Sequence, residues 1–147
     1  MDIPVVDAPA RRPDIAGVFM QTDRFIAHVN HACPSLDADV AHEVTLITLE
    51  TLCEQLPLDQ AKRLAAQLPQ ELTEAVEAGG DRGETSDVPI TLAEFYSKLM
   101  FRTELEEDTT RRVAQAVASA LRQAVSDGEI SDVALDLPSE LDQLVAA

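Results

Sequence analysis

Three side chains that could bind a metal ion or act as nucleophiles lie close together early in the chain. They are His28, His31 and Cys33, and His42 and Glu43 follow shortly after. Residues three apart share a helix face, so His28 and His31 could hold one ion. A tetrahedral site needs four ligands, and the pattern does not supply them. We therefore predict ordinary histidines and no metal site. We also predict no nucleophilic cysteine, because the sequence shows no base that would activate Cys33.

A second candidate is a run of carboxylates in the second half of the chain. Paired carboxylates can act as acid and base when their environments differ. Acids at the start of a helix are also favoured by its dipole and stay hydrated, which is the better explanation here. We expect nearby arginines to pair with these acids rather than to form an anion site. The acids are Glu104, Glu106, Glu107 and Asp108, and the arginines are Arg111, Arg112 and Arg122.

The elements that position these residues follow from a repeated motif. Leu68-Pro69-Gln70-Glu71-Leu72 returns 69 residues later as Leu137-Pro138-Ser139-Glu140-Leu141. Apolar residues and helix breakers keep their phase at this offset, and Phe25 aligns with Phe95 once one residue is inserted. Proline is well placed at a helix start, where its missing N–H is not needed. We predict these core residues: Leu68, Leu72, Val76, Leu137, Leu141 and Val145.

The repeat predicts an all-α protein, a helical bundle built from two tandem, pseudo-two-fold-related four-helix repeats. Residues 22–78 form repeat one and residues 91–147 form repeat two, both within one domain. Residues 79–90 begin with Gly79-Gly80 and are expected to form a Gly-rich linker. Residues 1–21 contain three prolines and are expected to form an extended or disordered arm. Whether this arm docks on the body or on a partner stays open.

Helix boundaries are marked by capping residues and prolines. Polar side chains that accept hydrogen bonds from the first free N–H groups favour helix starts, and the residue before proline disfavours helix. A long helix ending at Leu56 is apolar around most of its circumference, which predicts the central helix of the first half. The expected caps are Thr22, then Ser35 or Asp37, and two capping boxes, Thr91 with Glu94 and Ser126 with Glu129.

Composition and charge narrow the class of protein. Aromatic residues make up only 3% of the 147 residues, so Leu, Ala and Val supply an apolar mass that favours close-packed helices. The formal net charge of −16 opposes binding to nucleic acid, whose phosphates attract Lys and Arg. No apolar window is long enough for a membrane span. We expect Cys33 and Cys53 to be reduced thiols of a cytoplasmic protein.

Six segments carry a resemblance to a known family. They are Asp23–Val29, Leu52–Leu56, Ala65–Leu72, Ala93–Phe95, Leu121–Ser126 and Leu137–Leu141. Together they resemble the bacterial domain-of-unknown-function family 2267 over residues 22–147. The resemblance implies an all-helical bacterial protein, and it carries over no catalytic or binding residue.

These observations favour a non-enzymatic protein-protein interaction or scaffold module. We expect a protein partner, no cofactor and no catalytic residue, and homo-oligomerisation stays open. The alternative is a small-ligand or metal-binding regulatory protein with a pocket between the two repeats, since clefts between helices are common pocket sites.

Overall fold

The computed structural model describes residues 21–83 and 89–146, which contain helices and turns and no strand. The predicted all-α helical bundle is therefore confirmed. None of the helices in these two ranges has both the length and the apolar character needed to cross a membrane. In chain order the helices are α1 (Thr22–Ala32), α2 (Ala38–Cys53), α3 (Leu58–Ala65), α4 (Gln70–Gly83), α5 (Leu92–Thr103), α6 (Glu107–Ala124), α7 (Asp127–Asp136) and α8 (Asp142–Ala146).

The predicted capping residues lie at the starts of their helices, with one exception. The Asp37 side chain accepts a hydrogen bond from a backbone N–H in the first turn of α2. Thr91 and Glu94 form the reciprocal capping box at α5, with bonds of 2.8 and 3.1 Å. At α1 the cap residue is Gln21 rather than the predicted Thr22, and its side chain makes no capping hydrogen bond. The start of α1 therefore lacks the side-chain support that α2 and α5 have.

Helices α2 and α6 form the centre of the bundle. Helix α2 packs against α1, α4, α5 and α6, and helix α6 packs against α1, α2, α5, α7 and α8. The first helix of each half thus lies on the second helix of the other half, α1 on α6 and α5 on α2. Helices α3 and α7 also meet. Helix α2 is the predicted central helix, whereas the tandem repeat and its pseudo-two-fold axis stay predictions.

Helix α2 is buried on several sides although it contains threonines. The hydroxyls of Thr45, Thr48 and Thr51 each donate to the carbonyl oxygen four residues earlier, at 2.7 Å. These bonds satisfy the hydroxyl donors inside the helix, so the threonines can be buried at little cost. The helix ends at Cys53, before the expected Leu56.

Helix α4 continues through Gly79 to Gly83, where the sequence predicts a linker. A Cβ atom on Gly79 would lie 2.2 Å from the Glu50 carbonyl oxygen, and one on Gly83 would lie 2.2 Å from the Glu54 carbonyl oxygen. The absent side chains therefore let α4 approach α2 closely. This contact corrects the predicted linker over residues 79–83.

The repeated Leu-Pro motif is structural in both copies. The carbonyl oxygen of Pro69 accepts a hydrogen bond from the Thr73 N–H at 3.0 Å, and that of Pro138 accepts one from the Asp142 N–H at 3.2 Å. The first copy starts α4 directly, whereas the second forms a turn before α8 begins at Asp142. All six predicted core residues of the motif are buried: Leu68, Leu72, Val76, Leu137, Leu141 and Val145.

Two predicted segments fall on parts of the chain that the structure does not describe. Residues 1–20 of the expected arm and residues 84–88 of the expected linker lie outside the described residues.

Candidate functional site

A buried carboxylate at the C-terminal end of α2 has three basic neighbours. The side chain of Glu54 is only 6% exposed. Its Oε2 atom accepts hydrogen bonds from Nη1 of Arg102 at 2.7 Å and from Nη1 of Arg82 at 2.8 Å. Its Oε1 atom accepts from Nζ of Lys98 at 3.3 Å and from Nη2 of Arg102 at 3.4 Å. We call Glu54, Arg82, Lys98 and Arg102 the Glu54 cluster, and it joins α2, α4 and α5.

The helices place each member of the Glu54 cluster. Lys98 and Arg102 are four residues apart on α5, so they share one face of that helix. The close approach of α4 to α2 brings Arg82 alongside Glu50, with which it also forms an ion pair. Nη1 of Arg102 donates to the Thr51 hydroxyl oxygen at 2.8 Å, one turn from the Glu54 carboxylate. Hydrogen bonds therefore fix the orientation of Arg102 on two sides.

The surroundings of Glu54 keep its carboxylate ionised. Burial acts to raise the pKa of Glu54, but the hydrogen bonds and positive charges of Arg102 and Lys98 outweigh burial and lower this pKa. A carboxylate of low pKa with donors on both oxygens binds a proton weakly, so it is a poor general base at neutral pH. The arrangement suits an ion-pair contact between helices better than proton transfer.

A second buried polar contact lies between α3 and α7. Gln60 is 1% exposed, and its Nε2 atom donates to Oε2 of Glu129. Nη2 of Arg63 donates to Oε1 of the same Gln60 side chain. Burial raises the pKa of Glu129, against the opposing positive charge of Arg63, and the charge of Asp132 raises it further. This contact links the two halves of the chain.

The histidines and cysteine singled out in the sequence do not come together. Nε2 of His28 lies 3.1 Å from the Ser119 hydroxyl oxygen on α6. His31 is exposed, and Cys33 is buried at the end of α1. Within residues 21–83 and 89–146, no three His, Cys, Asp or Glu side chains are grouped so that they could hold a metal ion.

Both cysteines are free and buried. Burial raises the pKa of Cys53 to about 12 and also raises the pKa of Cys33, with Arg112 opposing the shift at Cys33. Both side chains are therefore protonated thiols at neutral pH, and a thiol is a much weaker nucleophile than a thiolate.

The remaining sequence candidates form separate contacts at the surface. Arg111 pairs with Glu107 at 2.9 Å and its guanidinium also lies 4.8 Å from the centre of the Tyr96 ring. Arg122 instead donates to the carbonyl oxygen of Leu144 at 2.8 Å, at the end of α8. The expected pairing with acids is thus found for Arg111 and not for Arg122. Nε2 of His42 lies 3.6 Å from Oε2 of Glu71, and Glu43 is exposed.

The sequence candidates do not include any member of the Glu54 cluster. Its three basic residues lie 28 to 48 positions from Glu54 along the chain, and all four members belong to types that usually lie at the surface. One local signal was available, because Glu54 directly follows the apolar pair Leu52-Cys53 and shares their buried side of α2.

The fold and its polar contacts define the class of this protein as an all-α bundle whose buried charged groups join helices. The family described as Uncharacterized conserved protein (DUF2267) matches residues 22–144, and the chain belongs to this family. The resemblance drawn from the sequence is thus confirmed. No curated protein gives a match to the chain.

Proposed function

We propose that the protein is a non-enzymatic interaction module that binds a basic protein partner. The observation that carries this proposal is Phe101 on α5, which is 86% exposed. The other aromatic residues of the described ranges, Phe25, Phe95 and Tyr96, are buried. Aromatic side chains supply much of the binding energy at protein interfaces, so an exposed phenylalanine is a suitable anchor for a partner.

The helix that carries Phe101 is held firmly in place. The capping box of Thr91 and Glu94 secures its start, and Arg102, the neighbour of Phe101, is bound within the Glu54 cluster. An anchor on a rigid helix loses little conformational freedom when a partner binds. The ion pairs of the cluster therefore support binding indirectly, because they fix the helix.

Charge supports a basic partner. The chain has a formal net charge of −16, and the exposed Glu104 lies within one turn of Phe101. A partner with an apolar pocket and a rim of Lys or Arg would complement this surface and associate faster at low salt. Nucleic acid is a poor alternative, because the same charge repels phosphates.

The chemistry of the buried groups supports a role without catalysis. Cys33 and Cys53 have raised pKa values and are protonated at neutral pH, while the lowered pKa of Glu54 makes it a weak base. The proposal includes a cytoplasmic location, since a reducing compartment keeps thiols such as these free.

A pull-down with matched variants tests the proposal. The full chain, Phe101→Ser, Leu135→Ser and a chain without residues 1–20 are immobilised and exposed to cell extract at low and high salt. Leu135, on α7, is the control because it is 82% exposed. We expect a specific partner to bind the full chain and Leu135→Ser, to be reduced at least about tenfold on Phe101→Ser, and to weaken as salt rises.

The other outcomes are also informative. Equal retention by the full chain and Phe101→Ser would contradict the role of Phe101 as the anchor. Loss of binding only in the shortened chain would move the binding site to residues 1–20. Recovery of no specific protein by any of the four would count against an interaction module.

A further inference from the structure

Helices α1 and α5 occupy corresponding places in the two halves of the sequence but are held differently. When Phe25 is aligned with Phe95, His28 corresponds to Lys98. Helix α1 packs on α6, and helix α5 packs on α2. Each therefore lies on the second helix of the opposite half, and the side chains that hold the two helices can be compared directly.

Helix α5 is fixed at both ends. At its start, Thr91 and Glu94 form the capping box, and the N–H of Leu92 donates to Oε1 of Glu140 at 3.0 Å. Towards its end, two basic side chains of α5 bind the carboxylate of the Glu54 cluster. Hydrogen bonds between charged groups are about twice as strong as those between neutral groups. Opening of α5 would therefore break several strong contacts.

Helix α1 has weaker polar contacts. The Gln21 side chain makes no capping hydrogen bond. Where α5 has its ion pairs, the polar contact that α1 makes with α6 in the described part of the chain is between His28 and the Ser119 hydroxyl, at 3.1 Å. At the other end, Nδ2 of Asn30 donates to the Leu36 carbonyl oxygen at 2.8 Å, within the turn that leads to α2. That bond ties α1 to the adjoining turn and not to α6.

We infer that α1 is a releasable helix, which opens from α6 and α2 while the other helices stay folded. Helix α1 buries two side chains in the closed state, Phe25 and Val29, whereas α5 buries three, Phe95, Tyr96 and Leu99. Local opening is expected where an element has few buried apolar side chains and few strong polar contacts, and release of α1 exposes the apolar surface that it covers on α6. The inference concerns the protein alone and goes beyond the proposed binding at Phe101.

Hydrogen exchange of the full chain tests the inference. Backbone amides in the interior of α1 are compared with those of α5 and α6 at neutral pH and at several low urea concentrations. We expect α1 amides to exchange at least about tenfold faster than α5 amides, with a smaller urea dependence than those of α6. Equal protection in α1 and α5, or exchange of α1 only through global unfolding, would overturn the inference.

Two variants distinguish release of α1 from a general loss of stability. Gln21→Ser supplies the missing cap and is expected to slow exchange in α1 about fivefold without changing α5. Glu54→Gln removes the charge that binds α5 and is expected to accelerate exchange in α5 while leaving the exchange rate of α1, which is set by its own local opening, unchanged. If Gln21→Ser slows all helices equally, or leaves α1 unchanged, α1 does not open as a separate unit.

Discussion

Gln60 and Glu129, which are 69 residues apart, meet across the contact between α3 and α7, where the Gln60 amide donates to the Glu129 carboxylate. The same offset relates the two Leu-Pro motifs, so the contact joins corresponding positions of the two halves. Ser126 caps α7 as predicted, since its hydroxyl oxygen accepts from the Glu129 N–H at 3.2 Å, but the Glu129 side chain binds Gln60 and does not complete the capping box. The backbone N–H of Ser126 instead donates to Oε1 of Gln67, at 2.8 Å.

Replacement of Glu129 by glutamine is expected to stabilise the protein at pH 7. Burial raises the pKa of Glu129 in the folded state, so its contribution to stability is present at low pH and is lost as pH rises through the folded pKa. Glutamine keeps an oxygen for the Gln60 amide without the buried charge. Urea unfolding at pH 7 should show a higher midpoint for the variant at an unchanged m value.

The pH dependence provides the control for Glu129→Gln. The gain over the natural chain should shrink towards pH 4, where Glu129 itself is protonated. A loss of stability in the variant at pH 7 would show that the attraction between the Glu129 charge and Arg63 outweighs the cost of burial.

The Glu54 cluster predicts the opposite pH dependence. Glu54→Gln should destabilise the protein by about 2–3 kcal/mol at pH 7, because the basic side chains lose their buried counter-charge. The folded pKa of Glu54 is lowered, so its contribution is present above the unfolded pKa and is lost as pH falls through the folded pKa. The difference in unfolding free energy between the natural chain and Glu54→Gln should therefore shrink as the pH falls.

Glu107→Gln is the matched control for Glu54→Gln. Glu107 pairs with Arg111 within one exposed helix face, with the Glu107 side chain 59% exposed. Such pairs contribute about 0.3–0.5 kcal/mol. If urea unfolding shows that the two variants lose the same unfolding free energy, the Glu54 cluster behaves as an ordinary surface ion pair.

Two glycine-to-alanine substitutions should have opposite effects. Gly79→Ala places a Cβ atom 2.2 Å from the Glu50 carbonyl oxygen, so α4 must move away from α2. We expect a loss of about 1–3 kcal/mol, typical of overpacking. Gly128→Ala on α7 meets nothing within 4 Å and should gain up to about 1 kcal/mol from helix propensity. A melting temperature of Gly79→Ala equal to or above that of Gly128→Ala would contradict the close approach of α4 to α2.

Glu104 is a site where glycine should stabilise the chain. It ends α5 with φ of 60°, which is the one positive value among non-glycine residues of the described ranges. Glycine adopts this conformation without a Cβ clash, so Glu104→Gly should gain up to about 1 kcal/mol in urea unfolding. Ser97→Gly, at an exposed helical position of α5, is the control and should lose about 0.5 kcal/mol. A loss at both positions would rule out strain at Glu104.

Local sequence signals were sufficient for helix existence, for the core and for the caps of α2, α5 and α7. The box at Thr91 and Glu94 and the Leu-Pro motifs act through neighbours a few residues away, so their physics is visible in the sequence. The interpretation failed at Gly79 and Gly83, since glycine is costly in an isolated helix and favours a loop. Their spacing of four residues, which puts both on one helix face, becomes meaningful only when α2 is known to lie against them.

The polar contacts could not be predicted, because they depend on tertiary structure. Glu54 meets Lys98 and Arg102 through the packing of α2 on α5, at separations of 44 and 48 residues. The sequence contains many acids, and nothing local distinguishes Glu54 from exposed ones except its place in an apolar stretch. The exposure of Phe101 could not be predicted for the same reason. The sequence sets the helical phase of Phe101 relative to Phe95 and Leu99, but it does not show which side of α5 the other helices leave uncovered.

Thiol labelling connects the cysteines with the inferred release of α1. Cys33 caps the end of α1, whereas Cys53 lies in the central helix α2, and both are at most 2% exposed. Burial raises the pKa of each thiol, so reaction requires opening that restores contact with water. With a disulfide reagent at pH 7.5, Cys33 in the Cys53→Ala chain should react at least about tenfold faster than Cys53 in the Cys33→Ala chain. Adding Gln21→Ser should slow the reaction of Cys33 and leave the rate of Cys53 unchanged. In urea, which unfolds the chain, both thiols should react at once. Equal rates for the two cysteines in the folded protein would mean that the same opening exposes both.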